Sequence, residues 1–363
     1  MSLFTDDQIQ MIRSERKDFE QTQQISDKLL ELMYEQNLFK LLVPQAFGGK
    51  MLDLPQAVNI FQEASRIEGN FGWLVTVGSG GGMFVPNMTE EAARRFYSPR
   101  QAVVAGSGFP AGKARPVEGG YNVNGKWFYC SGSQYATLFT ASCVVENRDE
   151  SSQEILAMEL DPEQVNVLDD WDAFGLKGTS SHSIQVVDQF VPSSRVFSLF
   201  EHQNDYAGLV HTYPFMMFSE ASFAAVSLGI GRHFLEEVEA ILERNKAAWQ
   251  KGSGHRYTFL KGKLDDEKGR WKRANEAFHE AVRSSWEKHV KGEELSETLQ
   301  KGFSVTAKRG AATAVYCANN LFRYIGMQAV MEGNALNQIW RDLHTAAQHT
   351  FLTPRDSEES TPY

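Results

Sequence analysis

The sequence predicts an α+β fold in three consecutive parts: an N-terminal helical domain, a central β-barrel or sandwich, and a C-terminal four-helix bundle. Three observations predict it. Apolar residues recur with helical spacing up to about residue 100. From there to about 205 the pattern changes to short strand-like runs broken by turn residues. Long helical stretches then return. Helices and strands occupy separate blocks, which excludes a βαβ dinucleotide fold and predicts that no parallel sheet is present. The implied domains are 1–100, 101–205 and 206–363.

In the first block, Ile25, Leu29, Leu32 and Met33 share one helical face, and the chain turns at Val43-Pro44 and Gly48-Gly49. A second helix carries Ala57, Ile60, Phe61 and Ala64 on one side. Gly78-Ser79-Gly80-Gly81-Gly82 is either a flexible stretch or a place of close backbone packing. It follows a helical pattern and lacks the G-x-G-x-x-G context of a dinucleotide loop. A third helix starts at Thr89, with Glu90 and Glu91 placed where the helix dipole favours acids.

The second block opens at Ala102-Val103-Val104. Asn124-Gly125, between Tyr121-x-Val123 and Trp127-x-Tyr129, predicts a hairpin turn, because this pair supplies the positive φ angles of a type I′ turn. Further strands are expected over 139–145, 155–160, 165–168 and 184–187, closing at Val191-Pro192. In the third block, helices are expected over 219–249, 261–289, 297–324 and 336–349, with a frayed tail from Pro354 to Tyr363.

Composition narrows the function classes. With 363 residues, 42% hydrophobic and 23% charged, the chain can bury a sizeable core. A net charge of −10 with interspersed acids and bases argues against a nucleic-acid partner. The cysteines Cys130, Cys143 and Cys317 form neither a disulfide framework nor a C-x-x-C dithiol, which points to a reducing compartment. The start MSLFTDDQIQ is no signal peptide, and no apolar run approaches a membrane span. A cytoplasmic protein without membrane association is expected.

Short segments carry a family resemblance. Leu38 to Pro44 followed by Phe47-Gly48-Gly49, Gly119 to Trp127, Phe174 to Ser181 with Val191-Pro192, and Trp340-Arg341-Asp342 together resemble the acyl-CoA dehydrogenase superfamily in order and spacing along nearly the whole chain. The resemblance implies a flavin between the β domain and the bundle, and a homotetramer that buries the bundle. The Ala/Ser/Gly-rich stretch 219–231 suits such close packing.

Within that superfamily, a dehydrogenase needs a carboxylate base to take the α-proton of a thioester. Many members carry that glutamate eight residues after the Arg-Asp pair, where this chain has Thr350. Glu332 is the nearest acid, at a position that does not match. The ending Trp340-Arg341-Asp342, a stretch rich in small residues and then His349 resembles instead the oxygenase components of two-component flavin-dependent monooxygenases. These take reduced flavin from a separate reductase and use oxygen on small aromatic or heteroatom-bearing substrates. The resemblance implies catalytic roles for His349 and Ser131. A histidine titrates near neutrality and can move a proton. A serine hydroxyl can donate a hydrogen bond to flavin N5. Ser107, Gly108, Cys130, Ser131, Gly132 and Arg323 are the expected cofactor contacts.

The chain also departs from the pattern. No histidine follows Gly72-Trp73, Gly326 stands alone where dehydrogenases have Gly-Gly, and the Arg-x-x-Phe-Gly signature for the FAD tail is missing from 245–262, with Lys251 and Arg256 as loose substitutes. FAD and FMN therefore both stay open. So do the plainer readings: His349 as a cationic helix C-cap, Ser131 as a turn hydroxyl, Trp127 and Trp171 as packing residues, and Asp342 as a partner of bundle arginines. His344 and His349 are five apart, so no shared helical metal site is expected. A divergent acyl-CoA dehydrogenase using FAD and a non-catalytic relative of the fold are the alternative functions.

Overall fold

The computed structural model describes residues 3–146, 154–251 and 255–353. The expected tail 354–363 lies outside the described residues. Six helices come first: α1 (Asp6–Ser14), α2 (Arg16–Thr22), α3 (Asp27–Glu35), α4 (Leu54–Ile67), α5 (Gly69–Gly80) and α6 (Glu90–Tyr97). Their starts follow from local chemistry. Asp53 accepts the Gln56 backbone N–H at 2.8 Å and Gln56 returns a bond to the Asp53 backbone, while Thr89 caps α6. The glycine cluster at 78–82 proves to be close packing: a Cβ on Gly78 would meet Phe39, one on Gly81 Val104, and one on Gly82 Val43.

Among the described residues seven strands follow: β1 (Val104–Val117), β2 (Gly120–Trp127), β3 (Leu138–Val145), β4 (Ile155–Leu160), β5 (Asn166–Val167), β6 (Ile184–Pro192) and β7 (Val196–Phe197). They form one sheet in the order β5-β6-β2-β1-β3-β4-β7. Met158 and Leu160 on β4 share a core with Ile184 and Val186 on β6, with three strands between them, so the sheet curls round its own apolar face. Trp127 is fully buried there and its indole donates to the Ser142 carbonyl at 2.8 Å, a packing role.

Two expectations fail in this sheet. Asn124-Gly125 is no hairpin turn. The turn from β1 to β2 falls at Glu118-Gly119, where Gly119 takes φ +79°, and Asn124 sits in an irregular stretch of β2 with its side chain accepting the Asp188 N–H at 2.9 Å. The bulge lies on the partner strand: β6 advances three residues from Gln189 to Val186 where β2 advances two, and Asp188 takes the left-handed φ of +53° opposite Asn124. Second, β1 and β3 pair in parallel. After β2 the chain crosses back through 128–137 without a helix and enters the far side of β1. Strand periodicity carries no information about direction, so the sequence pattern could not show this.

Four long or medium helices close the chain: α7 (Phe215–Lys251), α8 (His255–Val290), α9 (Glu297–Ile325) and α10 (Ala335–Ala346). They form the C-terminal bundle, and α4 packs along α7. One core joins both ends of the chain, with Phe19, Leu29, Phe61 and Phe71 packed among Phe234, Leu264, Phe278 and Leu343. The small residues of 219–231 serve this internal packing: Gly229 abuts the Gln62 carbonyl and Gly231 abuts Ala314. That stretch is therefore no evidence for contacts between subunits. Among the described residues, no helix is long and apolar enough to cross a membrane.

Gly72 fixes the approach of α5 to α4. A Cβ there would lie 2.4 Å from the Ser65 backbone nitrogen, which cannot yield without moving α4. Gly72→Ala is expected to lower stability by about 3 kcal/mol through overpacking. Gly80→Ala, where a Cβ meets nothing within 4 Å, is expected to be neutral or slightly stabilising. Denaturant titration of the two variants checks this.

Candidate active site

The crossover 128–137 carries Ser131 and lies beside the turn 176–182. The Cys130 N–H donates to the His182 carbonyl at 3.0 Å, the Gly132 N–H to the Thr179 carbonyl at 2.9 Å, and the Ser133 hydroxyl to the Ser180 carbonyl at 2.8 Å. Helices hold that turn from behind. Asp342 on α10 accepts the Leu176 N–H at 2.6 Å, and Asn70 on α5 accepts the Gly178 N–H at 2.8 Å. Gly175 permits this approach, because a Cβ there would lie 2.3 Å from the Arg341 carbonyl oxygen.

Among the described residues Asp342 forms no ion pair with an arginine, contrary to expectation. Arg341 turns the other way, to Glu20 at 2.9 Å, to Asn337 and to the Phe174 carbonyl. The largest charged influence on Asp342 is a second carboxyl, Glu68, the N-cap of α5, which accepts from Asn70 and from the Phe71 N–H at 2.8 Å each. Burial, and then Glu68, hold Asp342 well above the usual carboxylate range. Burial raises Glu68 to about 7, against the pull of its hydrogen bonds. Two carboxyls in one dry site cannot both ionise at neutral pH. They act as fixed hydrogen-bonding anchors for the 176–181 turn.

From that turn a line of hydroxyls leads outward. Thr179 donates to the Leu176 carbonyl at 2.8 Å and lies 2.7 Å from the Ser181 hydroxyl. Ser181 lies 2.7 Å from the Ser131 hydroxyl, and Ser131 accepts from the Trp73 indole N–H at 2.9 Å. Trp73 is on α5, so Ser131 is tied to the helical part as well as to the β part. The Ser131 hydroxyl thus has two polar neighbours, the Trp73 indole N–H and the Ser181 hydroxyl, and in the second contact either oxygen can donate.

His349 reaches the same indole. Its ring centroid lies 5.9 Å from that of Trp73, and it stacks on Phe223 of α7 at 3.6 Å and 20°. The residue sits just beyond the end of α10 rather than within it. Burial depresses its pKa to about 4, so it is neutral at physiological pH. This removes the reading as a cationic cap and also the expectation of titration near neutrality. Its Nδ1 accepts from the Phe351 N–H at 3.4 Å, which leaves the hydrogen on Nε2. Ser131 and His349 are both half-buried, on two sides of Trp73.

The other expected residues are scattered in role. Ser107 lies where β1 loses its register with β3, and its hydroxyl accepts from the Phe109 N–H at 3.3 Å. Gly108 is exposed. The Cys130 thiol is buried, raised to about 12 by burial, and points to the Trp127 and Phe128 carbonyls, so only its backbone can serve a ligand. Gly132 takes φ +78° beside Tyr135. Arg323 is exposed at the end of α9, with its guanidinium over Tyr324. Arg256 stacks on Trp249 and donates to the Ile325 carbonyl, next to Gly326. Glu332 and Thr350 are exposed, and among the described residues no three His, Cys, Asp or Glu side chains gather as a metal site.

Trp171 is half-exposed and packs edge-on to Tyr129. Phe128 and Tyr129, next to Ser131, expose flat apolar faces, and Tyr129 holds φ +63°, a left-handed conformation that costs a non-glycine residue energy. A concavity of about 640 Å³ lies elsewhere, between α4, α7 and α8. It is lined by charged side chains such as Arg66, Arg232 and Lys268 and contains none of the candidate residues.

Two family models match the chain: the acyl-CoA dehydrogenase N-terminal domain over residues 3–103 and the C-terminal domain over 221–354. The chain belongs to the acyl-CoA dehydrogenase family. Among family members it is similar to indole-3-acetate monooxygenase of Pseudomonas putida, at 23% identity over 94% of this chain and 87% of that protein. It is 24% identical to the flavin-dependent monooxygenase oxygenase subunit HsaA of Rhodococcus jostii, over 94% and 92% of the two chains. Solved structures share the fold. The 3-HSA hydroxylase from Rhodococcus sp. RHA1 superposes with a TM-score of 0.87 at 22% identity, covering 96% and 92%. XiaF from Streptomyces sp., in complex with FADH2 and glycerol, gives 0.83 at 19%, covering 94% and 88%. TdsC from Paenibacillus sp. A11-2, with FMN and indole, gives 0.72 at 18%, covering 95% and 91%.

In this acyl-CoA dehydrogenase family member, the residues that the sequence pattern missed are Trp73, Ser181, Thr179, Glu68 and Asn70. Gly72-Trp73 and the Thr179-Ser180-Ser181 turn were visible as motifs. The bonds that tie Trp73 and Ser181 to Ser131 cross 58 and 50 residues of chain, which no local pattern encodes.

Proposed function

We propose that this protein is the oxygenase component of a two-component flavin-dependent monooxygenase. It takes reduced FAD or FMN from a separate reductase and acts on a small aromatic or heteroatom-bearing substrate. One observation carries the reading: Ser131 and an uncharged His349 meet on two sides of Trp73, while exposed Thr350 stands where a dehydrogenase base is needed. The names of the similar proteins, flavin-dependent monooxygenases and an indole-3-acetate monooxygenase, support it.

The residues present suit a flavin. Phe128 and Tyr129 offer flat apolar surface beside a hydroxyl acceptor, as a ring system with a polar N5 edge requires. When bound, reduced flavin supplies the electrons and the reactivity toward oxygen. The chain supplies the rest. Ser131 fixes the ring edge, and the backbone around Cys130 and Gly132 lines the same loop. Ser107 and Gly108 contribute from β1. His349 presents a neutral Nε2–H that orients a substrate oxygen or nitrogen, and Phe223 and Trp73 exclude water around it. Arg323 at the end of α9 and Arg256 at the start of α8, which reaches the Ile325 carbonyl, suit the phosphate end of the cofactor. Free cysteines fit a reducing cytoplasm. A homotetramer is the assembly we expect, with exposed Met327, Val330 and Met331 available for burial between subunits.

Anaerobic titration with reduced FMN and reduced FAD tests the reading, with saturable micromolar binding expected. In parallel, straight-chain acyl-CoA and an artificial electron acceptor should give a rate at least about 10² below that of a dehydrogenase, since the general base is missing. Robust acyl-CoA oxidation would overturn the proposal. Light scattering reads the assembly.

A further inference from the structure

We propose that Ser181 and Thr179 are positioning residues that lock Ser131 as a hydrogen-bond acceptor, so that the site selects the reduced flavin ring over the oxidised one. The inference rests on the flavin site proposed above, and it follows from counting hydrogens. Four contacts run in series: Trp73 Nε1 to Ser131, Ser131 to Ser181, Ser181 to Thr179, and Thr179 to the Leu176 carbonyl. They span 2.7 to 2.9 Å, so each needs a hydrogen between its heavy atoms. The groups supply one indole hydrogen and three hydroxyl hydrogens, one for each contact.

The two ends set the direction. An indole N–H can only donate and a carbonyl oxygen can only accept. Thr179 therefore gives its proton to Leu176 and accepts from Ser181, Ser181 accepts from Ser131, and Ser131 accepts from Trp73. No hydroxyl hydrogen is left over. Ser131 retains one lone pair and no donor for a ligand.

Reduced isoalloxazine carries a hydrogen on N5, and that N–H pairs with the free lone pair of Ser131. Oxidised isoalloxazine presents a bare nitrogen lone pair at N5, which meets an acceptor and gains nothing. The surroundings hold this polarity in place. Thr179 and Ser181 are almost completely buried, and the Leu176 carbonyl is pinned by the Trp171 indole at 3.0 Å while its N–H is held by Asp342. Water therefore has no ready access to reverse the chain.

Binding of FMN measured anaerobically in both redox states tests this, with dithionite-reduced FMN as one probe and oxidised FMN as the other. The wild type is expected to bind the reduced form at least tenfold tighter, roughly the value of one hydrogen bond made against one unmade. Ser181→Ala frees the Ser131 hydrogen to turn toward bare N5. The ratio should fall by about tenfold, mainly through tighter binding of oxidised FMN, an effect that general loosening of the site would not produce. Thr179→Val unlocks the same chain from its inner end and should move the ratio the same way; it serves alone should Ser181→Ala fail to fold. Ser181→Thr keeps the hydroxyl and should keep the wild-type ratio. Retention of that ratio in Ser181→Ala and Thr179→Val, or equal binding of both redox states by the wild type, overturns the proposal. Failure of the wild type to bind either form overturns the flavin site itself, and the proposal with it.

Discussion

Replacing His349 by alanine is expected to cut coupled product formation by about 10²-fold while changing reduced-flavin affinity by less than about threefold. Oxygen consumption should continue, with hydrogen peroxide replacing hydroxylated product. The reason is positional. His349 is fixed by stacking on Phe223 and by the bond from the Phe351 N–H, and its Nε2–H meets no partner among the described residues. Alanine removes that donor and opens a path for water beside Trp73. Burial holds the His349 pKa near 4, so the rate should show no histidine limb through neutral pH. Stopped-flow product analysis with a peroxide assay checks the first expectation, and a pH profile checks the second. Full coupling in His349→Ala would remove His349 from the site.

Asp342 should show a sharp contrast between two substitutions. Asp342→Ala leaves the buried Leu176 N–H without an acceptor and a small cavity behind α10, and is expected to cost about 3 kcal/mol. The same change frees the 176–181 turn, so reduced-flavin affinity should fall as well. Asp342→Asn keeps an acceptor and a neutral group, and should cost under about 1 kcal/mol at neutral pH. The sign of the pH dependence follows from the raised pKa values. Folded Glu68 and Asp342 hold protons that the unfolded chain releases above about 4. Their contribution is full below that pH and is lost as pH rises through the folded value, about 7 for Glu68. Glu159, raised to about 8 by burial, adds the same trend. His349 and His211, both depressed to about 4, act oppositely: their contribution is lost as pH falls below about 6.5. Wild-type melting temperature should therefore decline as pH rises from about 6.5, where the opposing histidine contribution is complete, toward about 8, and Asp342→Asn should flatten that decline. Calorimetry across pH reads both effects, and a decline unchanged in Asp342→Asn would show that the carboxyl pair is not its source.

The main architecture was legible because it rests on periodicity. The order of helices, strands and helices, the strand over 155–160, the long helices near 219, 261 and 297 and the start of α6 at Thr89 all follow from local apolar spacing and caps. The missed features share a cause. Asn124-Gly125 has the composition of a turn, and only the pairing of β2 with β6 shows that it is strand, facing a bulge at Asp188. The small residues of 219–231 announce a close contact without naming the partner, which is α4 and α9 of the same chain.

The same division runs through the site. By itself the sequence determined the three-part fold, the family, the missing dehydrogenase carboxylate at Thr350, and Ser131 and His349 as candidates, because each of these is a residue identity at a fixed spacing. Tertiary structure alone decided that Trp73 stands between those two residues, that burial keeps His349 uncharged, and that Asp342 anchors a turn and not an arginine. It alone also set the direction of the hydroxyl chain ending at Ser131. Hydrogen-bond polarity and pKa depend on which groups meet and how much water is excluded, and residues far apart in the chain acquire those properties only when the fold brings them together.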